Sequence, residues 1–192
     1  PAQVITANNV FAHLDDVKGF VQAVKHLLAP DGVFVFEVVS LEKMLAGGYA
    51  DAVYHEHVTS WSTAPLVKLF RDNGMKLLEV NDVSTHGGSL RGWAFPINCD
   101  VQLPFFEVLD RMKLEETSLE DCVFFAAKAQ ATRLKLQELV GARRRDGKLV
   151  VGYGAPAKAT VLANYCGFNA DDIAYIVDDS PLKQGRFMPG TG

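Results

Sequence analysis

A chain of 192 residues with 19 Lys and Arg against 23 Asp and Glu carries a net charge of −4. That balance excludes the basic footprint needed to neutralise nucleic-acid phosphates. Hydrophobic residues make up 48% and charged residues 22%, the balance of one good-sized globular domain or two small ones, and no apolar run reaches the roughly 18 residues of a membrane span.

The chain enters an apolar run over residues 3–6, predicted to be a short buried strand, and residues 7–13 form the turn after it. Asp15 and Asp16 suit a helix start. Val17, Phe20, Val21, Val24, Leu27 and Leu28 then recur with helical spacing over 17–28. Pro30-Asp31-Gly32 predicts a turn, and 33–39 a strand interrupted only by Glu37. Strand, helix, turn and strand make the crossover unit of a parallel α/β sheet. A short helix follows over 41–46. Residues 62–73 read as a helix capped by Gly74, with Leu66, Leu69 and Phe70 on one face. Strands over 76–83 and 89–95 are joined through His86-Gly87-Gly88.

A long helix is expected over 115–145. Its apolar stripe runs through Leu119, Val123, Ala126, Ala129, Leu136 and Val140, with Arg133 as a polar interruption and Arg143-Arg144-Arg145 at its end. Such a helix suits a bridge between two lobes. The strand pattern restarts at 149–151, followed by a glycine turn at 152–158, a helix over 159–165 and a strand over 173–177 closed by Asp178-Asp179. The expected organisation is a sheet domain over 1–100, a helical connection over 101–147 and a second α/β unit over 148–192. The abrupt strand after Pro1 and the final Pro189-Gly190-Thr191-Gly192 suggest a piece of a longer protein. The first residues lack the basic start and apolar stretch of a signal peptide. Cys99, Cys122 and Cys166 form no Cys-x-x-Cys pair and leave an odd count. A disulfide framework or zinc ribbon is not expected, and a reducing, cytoplasmic location fits.

Chemistry concentrates in four places. Tyr54-His55-Glu56-His57 puts two imidazoles, a carboxylate and a phenol within four residues. Imidazole titrates near neutrality, Glu can orient it, and Tyr can donate to a developing oxyanion. If the segment is extended, Tyr54 and Glu56 share one face and the histidines the other. Metal binding by His55-x-His57 lacks an obvious third ligand, so no metal site is expected. His86-Gly87-Gly88-Ser89-Leu90-Arg91 offers glycines for close backbone approach and a guanidinium for an anion, or simply a hairpin turn with an exposed Arg. Gly152-Tyr153-Gly154-Ala155-Pro156-Ala157-Lys158 leads from strand to helix, where amides receive phosphate, and Asp178 stands where dinucleotide folds place a ribose-binding acid. Packing alone would also explain those glycines. Asn8, Asn9 and His13 follow the first strand, where α/β sheets bind ligands or cap the next helix.

These motifs, in this order and spacing, resemble the sugar C-methyltransferases that methylate nucleotide-linked keto-deoxysugars. The carriers are Asn8-Asn9-Val10-Phe11-Ala12-His13, the Tyr54 to His57 run, the His86 to Arg91 run and the Gly152 to Lys158 turn. Asp178-Asp179-Ser180-Pro181 and Lys183-Gln184-Gly185-Arg186 complete the set. The resemblance implies an S-adenosylmethionine-dependent methyltransferase sheet domain followed by a Rossmann-like unit, acting on a small-molecule sugar nucleotide, a dTDP-sugar. It implies His57 as the base, Tyr54 beside the reacting carbon and Glu56 as an orienting group. Asn8, Asn9 and His13 fall on the cofactor side. His86, Gly87, Gly88, Arg91, Gly154, Lys158, Asp178 and Arg186 fall to the substrate, with Lys158 and Arg186 suited to its diphosphate. The family's zinc-binding N-terminal module and the first half of its cofactor domain have no counterpart in this sequence. The alternatives are a non-catalytic sugar-nucleotide or dinucleotide binding module and, more weakly supported, a nicotinamide-dependent oxidoreductase.

Overall fold

The computed structural model describes residues 1–101, 106–114 and 117–191. The chain is mixed α/β and divides into two compact units: Pro1–Gly47 with His55–Cys122, and Gly48–Tyr54 with Val123–Gly192.

The first unit holds a four-stranded sheet in which the fourth strand of the chain lies between the second and the third, and the first is at an edge. Strand β1 (Ala2–Asn8) runs parallel to β2 (Leu28–Val39), with helix α1 (Val17–Leu27) as the crossover. Asp16 caps α1 as the acidic pair predicts, accepting from the Gly19 amide at 2.8 Å. The hairpin of β3 (Met75–Val83) and β4 (Ser89–Pro96) adds to β2 antiparallel. Two expectations are corrected. Pro30-Asp31-Gly32 lies within β2 as an irregularity, not as a turn before it: two positions along β1, Ala2 to Val4, face five along β2, Leu28 to Val33. The first strand is also not buried, because β1 pairs on one side only, leaving Val4 59% exposed and only Ala7 buried.

Alternation along β2 sends Phe34, Phe36 and Val38 into the core, all fully buried. There Phe34, Phe36 and Phe70 join Phe11, whose ring stacks on Trp61 with centroids 5.3 Å apart. Each fully buried Phe contributes about 1.5–3 kcal/mol. Helix α2 (Leu41–Gly47) follows β2, and α3 (Thr63–Asp72) buries Leu66 and Phe70 before turning at Gly74 with φ +72°. Helix α4 (Phe106–Leu114) completes the unit, and its Arg111 reaches Asp82 at 2.6 Å and the Thr63 hydroxyl at 3.2 Å.

Helix α5 (Leu119–Arg145) is as long as its periodicity predicts; the predicted start at Glu115 and Glu116 lies outside the described residues. Its stripe is buried only at Ala129 and Val140, whereas Leu119 is 82% exposed. Arg133, the polar interruption, lies over the Tyr165 ring at 5.6 Å, so its plane serves as packing surface. The second unit continues with β5 (Gly152–Tyr153), α6 (Ala157–Cys166) and β6 (Ile176–Val177), β5 and β6 pairing parallel. Both strands are shorter and later than the apolar runs predict. Ladder bonds to Tyr175 and Val177 begin at Gly152, and the turn opens at Gly154, whose φ is +84°. Among the described residues no helix is long and apolar enough to cross a membrane.

Candidate active site

The Tyr54 to His57 run is a bend and turn, not an extended segment, so two-face alternation does not apply to it. Tyr54 ends the Gly48–Tyr54 stretch of the second unit, and His55, Glu56 and His57 belong to the first. What holds the latter three is the core. Phe11, buried under the aromatic cluster, fixes the 3₁₀ turn Phe11–His13, and the Thr59 amide donates to the Ala12 carbonyl at 3.3 Å. His13 is thereby carried to the run. Its Nδ1 lies 2.7 Å from the Glu56 carbonyl oxygen, and its ring centroid 5.0 Å from that of His57. A carbonyl only accepts, so Nδ1 of His13 carries the proton, and in the neutral ring Nε2 is left as the basic nitrogen. Sequence reasoning placed His13 beside Asn8 and Asn9. The structure joins it to Glu56, across 43 residues, and to the neighbouring His57.

Asn8 ends β1 and is exposed. Asn9 adopts φ +54° and donates its amide to the Glu37 carbonyl at 2.9 Å. Its side-chain Oδ1 is buried with no partner among the described residues. A buried acceptor without a donor is costly, and an N–H or O–H of a bound group would relieve it. The residues at this strand end therefore fit a polar cofactor.

Glu37, absent from the predicted site, is only 4% exposed. Its Oε2 accepts from Arg91 Nη2 at 2.9 Å and Nε at 3.3 Å, and its Oε1 accepts from the Thr85 hydroxyl. Burial pushes its pKa up, but the Thr85 hydroxyl, the Arg91 guanidinium and the nearby His86 outweigh this and hold it below the usual glutamate value. A single acid within an apolar strand was the signal available for it. Arg91, predicted for an anionic ligand, is thus already half of an ion pair, though 43% of its side chain stays accessible. The turn between β3 and β4 carries His86 at φ +54°, then Gly87 at +88° and Gly88 at +130°. A Cβ on Gly88 would come within 2.7 Å of the Lys43 Cβ, so glycine is required there.

In the second unit the glycine turn is occupied by the protein itself. Asp178 Oδ2 accepts from the Ala155 amide at 2.7 Å, and its Oδ1 from the Ser180 amide at 2.8 Å. These amides, with Lys183 at 3.2 Å, hold its carboxyl below the usual aspartate value. The amide expected to meet phosphate thus already has an anion. Asp178, Lys183 and Arg186 line a cleft of about 650 Å³ with an apolar wall of Phe168, Ile176 and Phe187. Arg186 is exposed, and Lys183 was left without a role by sequence reasoning. Lys158 and Gly154 are not among the lining residues; Lys158 lies 4.0 Å from Asp51.

An α/β sheet with polar groups gathered at the carboxyl ends of its parallel strands defines a ligand-binding fold of the open-sheet class. Comparisons with known proteins narrow it. Residues 1–80 match the model of a methyltransferase domain, and residues 84–192 that of the C-methyltransferase C-terminal domain. The chain belongs to the C-methyltransferase family. C-methyltransferase NovU of Streptomyces niveus is 34% identical over 195 residues, covering 99% of this chain and 46% of NovU, so the chain spans about half the length of that relative. Among solved structures, a chain from the complex of the Haloferax volcanii Trm112 methyltransferase activator with a methyltransferase aligns at TM-score 0.43 and 15% identity, over 53% of this chain and 56% of that one. A structure concerned with conversion of a disulfide bond into a thioacetal group during echinomycin biosynthesis aligns at TM-score 0.35 and 9% identity, over 61% and 57% of the two chains.

Proposed function

We propose that the protein serves S-adenosylmethionine-dependent C-methylation of a nucleotide-diphosphate-linked keto-deoxysugar, a dTDP-sugar. The observation that carries this reading is the pairing of His13 with Glu56 and His57, an oriented imidazole pair at the strand ends of a methyltransferase-family sheet. The ketone acidifies the neighbouring sugar carbon, and His57 removes its proton. Glu56 orients the base, and Tyr54 is assigned beside the reacting carbon. Tyr54 and His86 are the side-chain donors suited to the enolate oxygen. Asn8, Asn9 and His13 hold the cofactor side, and the orphaned Asn9 Oδ1 takes a donor there. Bound S-adenosylmethionine supplies an electrophilic methyl group. His86, Gly87, Gly88 and Arg91 address the substrate from the β3–β4 turn. Taken by itself, the second unit offers Lys158 and Arg186 for a diphosphate, with Asp178 and Gly154 shaping the turn between its strand and helix. In domain terms, residues 1–100 are the catalytic sheet, 101–147 the connection and 148–192 the sugar-nucleotide unit. A soluble cytoplasmic setting is part of the same reading.

His57→Ala should lower methyl transfer by about 10²–10⁴-fold, the usual contribution of a general base. Sugar-nucleotide affinity, measured by calorimetry, should change less than about twofold. Normal turnover by this variant would remove His57 from the role. The cleft beside Asp178 favours a second reading, a non-catalytic sugar-nucleotide or dinucleotide binding module. That reading requires Arg186→Ala to abolish binding while His57→Ala and Tyr54→Phe leave every measurable property intact.

A further inference from the structure

The level of Glu37 in the sheet is polar on all four strands. Asn8 pairs with Glu37, Glu37 with Arg91, and Arg91 with Asn81. Directly paired residues share a face, so these side chains form one row across strands that are otherwise largely apolar. Glu37 is the most deeply buried of the row and has partners in two different places. Arg91 belongs to the neighbouring strand, whereas Thr85 opens the 3₁₀ turn Thr85–Gly87. One carboxylate thus ties the turn to the sheet.

That turn needs a tie. His86 adopts φ +54°, a conformation that non-glycine residues hold only when their surroundings impose it. Around it the Gly88 amide donates to the Thr85 carbonyl at 2.9 Å, the Ser89 hydroxyl to the same carbonyl at 3.1 Å, and the Ser40 amide to the Gly88 carbonyl at 3.1 Å. The first two end on Thr85 itself, and the third holds the Gly88 end of the same turn. The Thr85 hydroxyl donates to Glu37.

We propose that Glu37 is a positioning residue for substrate recognition: it clamps Thr85 and Arg91 to the sheet, so that His86 and the accessible edge of Arg91 meet an anionic sugar nucleotide from fixed positions. The inference rests on the function proposed above. Glu37 touches neither substrate nor cofactor; it acts through the turn. Its Oε atoms are both engaged, and its burial leaves no room for a ligand contact.

The test uses the full chain with Glu37→Gln and Thr85→Val. Glutamine keeps the shape but removes the charge that holds Arg91, and valine deletes only the hydroxyl. In Glu37→Gln the KM for a dTDP-linked keto sugar should rise about tenfold or more, with KM for S-adenosylmethionine within twofold. Hydrogen exchange at the Gly88 and Ser40 amides should accelerate in both variants. Thr85→Val, which leaves the ion pair, should raise the sugar KM less and serves if Glu37→Gln fails to fold. A lowered melting temperature with both KM values and both exchange rates unchanged would overturn the proposal, since Glu37 would then be a fold residue alone. If the wild-type chain binds no sugar nucleotide, the proposed function falls, and the exchange rates alone then decide: acceleration keeps Glu37 as the clamp of the turn, and no change removes it.

Discussion

In the first unit a glycine turn is held from within the sheet by Glu37, whereas in the second a glycine turn is held from a strand end by Asp178. Glu37 is neutralised by side chains, Thr85 and Arg91, and its turn keeps His86 and Gly87 exposed. Asp178 is neutralised mainly by backbone amides, those of Ala155 and Ser180, and so fills the position a ligand anion would take. The same device therefore leaves one turn accessible and closes the other. Their settings differ as well. Glu37 stands over a sheet packed on four fully buried phenylalanines, whereas the second unit's two-stranded sheet has its Tyr153 84% exposed.

Substitutions sharpen this contrast, beginning with the core. Phe36→Ala should cost about 3–5 kcal/mol in denaturant unfolding, against no more than about 0.5 kcal/mol for Tyr153→Ala. Equal costs would mean that the two sheets are packed alike. Next, Glu37→Ala leaves Arg91 without its partner. Loss of a fully buried pair costs about 3–5 kcal/mol, and because Arg91 is partly accessible about 2 kcal/mol is expected.

The sign with pH follows from the lowered pKa of Glu37. The folded state binds the proton less readily than the unfolded chain. The stabilisation is therefore complete above the unfolded value, about 4.3, and is lost as pH falls through the lower folded value. Urea titrations across that range should show the gap between wild type and Glu37→Gln closing. A gap independent of pH would mean that the charge contributes nothing.

Glycine substitutions come next in size. A Cβ on Gly92 would lie 2.6 Å from Phe36 Cε1, so Gly92→Ala overpacks the core and should cost about 2 kcal/mol. Gly154→Ala meets nothing nearer than Pro156 Cδ at 3.7 Å, and only its φ of +84° opposes it, at about 1 kcal/mol. The smallest effect belongs to Asp178→Asn, because the amide oxygen still accepts from Ala155. Its difference from wild type should be visible at neutral pH and fade as pH drops through the depressed aspartate value. Melting curves at several pH values check this, and a difference that grows toward acid would contradict the assigned bonds.

Much of the architecture was readable because it depends on neighbours in the chain. Asp16, the 17–28 periodicity and the Gly74 stop define α1 and α3 almost to the residue. The His86-Gly87-Gly88 hairpin was likewise legible, since two glycines in succession readily take the positive φ of a tight turn. The second unit's strands were displaced by a few residues, because apolar runs at 149–151 and 173–175 mark where a strand lies but not where its ladder forms.

The site was less legible for a different reason. His57 and Tyr54 stand out as residue types, but nothing local links His13 to Glu56 or Glu37 to Arg91, pairs separated by 43 and 54 residues. Those links are made by register and by the anchoring of Phe11 beneath Trp61. By itself the sequence determined helices α1, α3 and α5, the turn between β3 and β4 and the family, because capping, periodicity and motif order are written in consecutive residues. Tertiary structure alone decided that Asp178 answers its own turn and that Glu37 holds another. A carboxylate's partner is set by which strands lie side by side, and that is a property of the folded sheet.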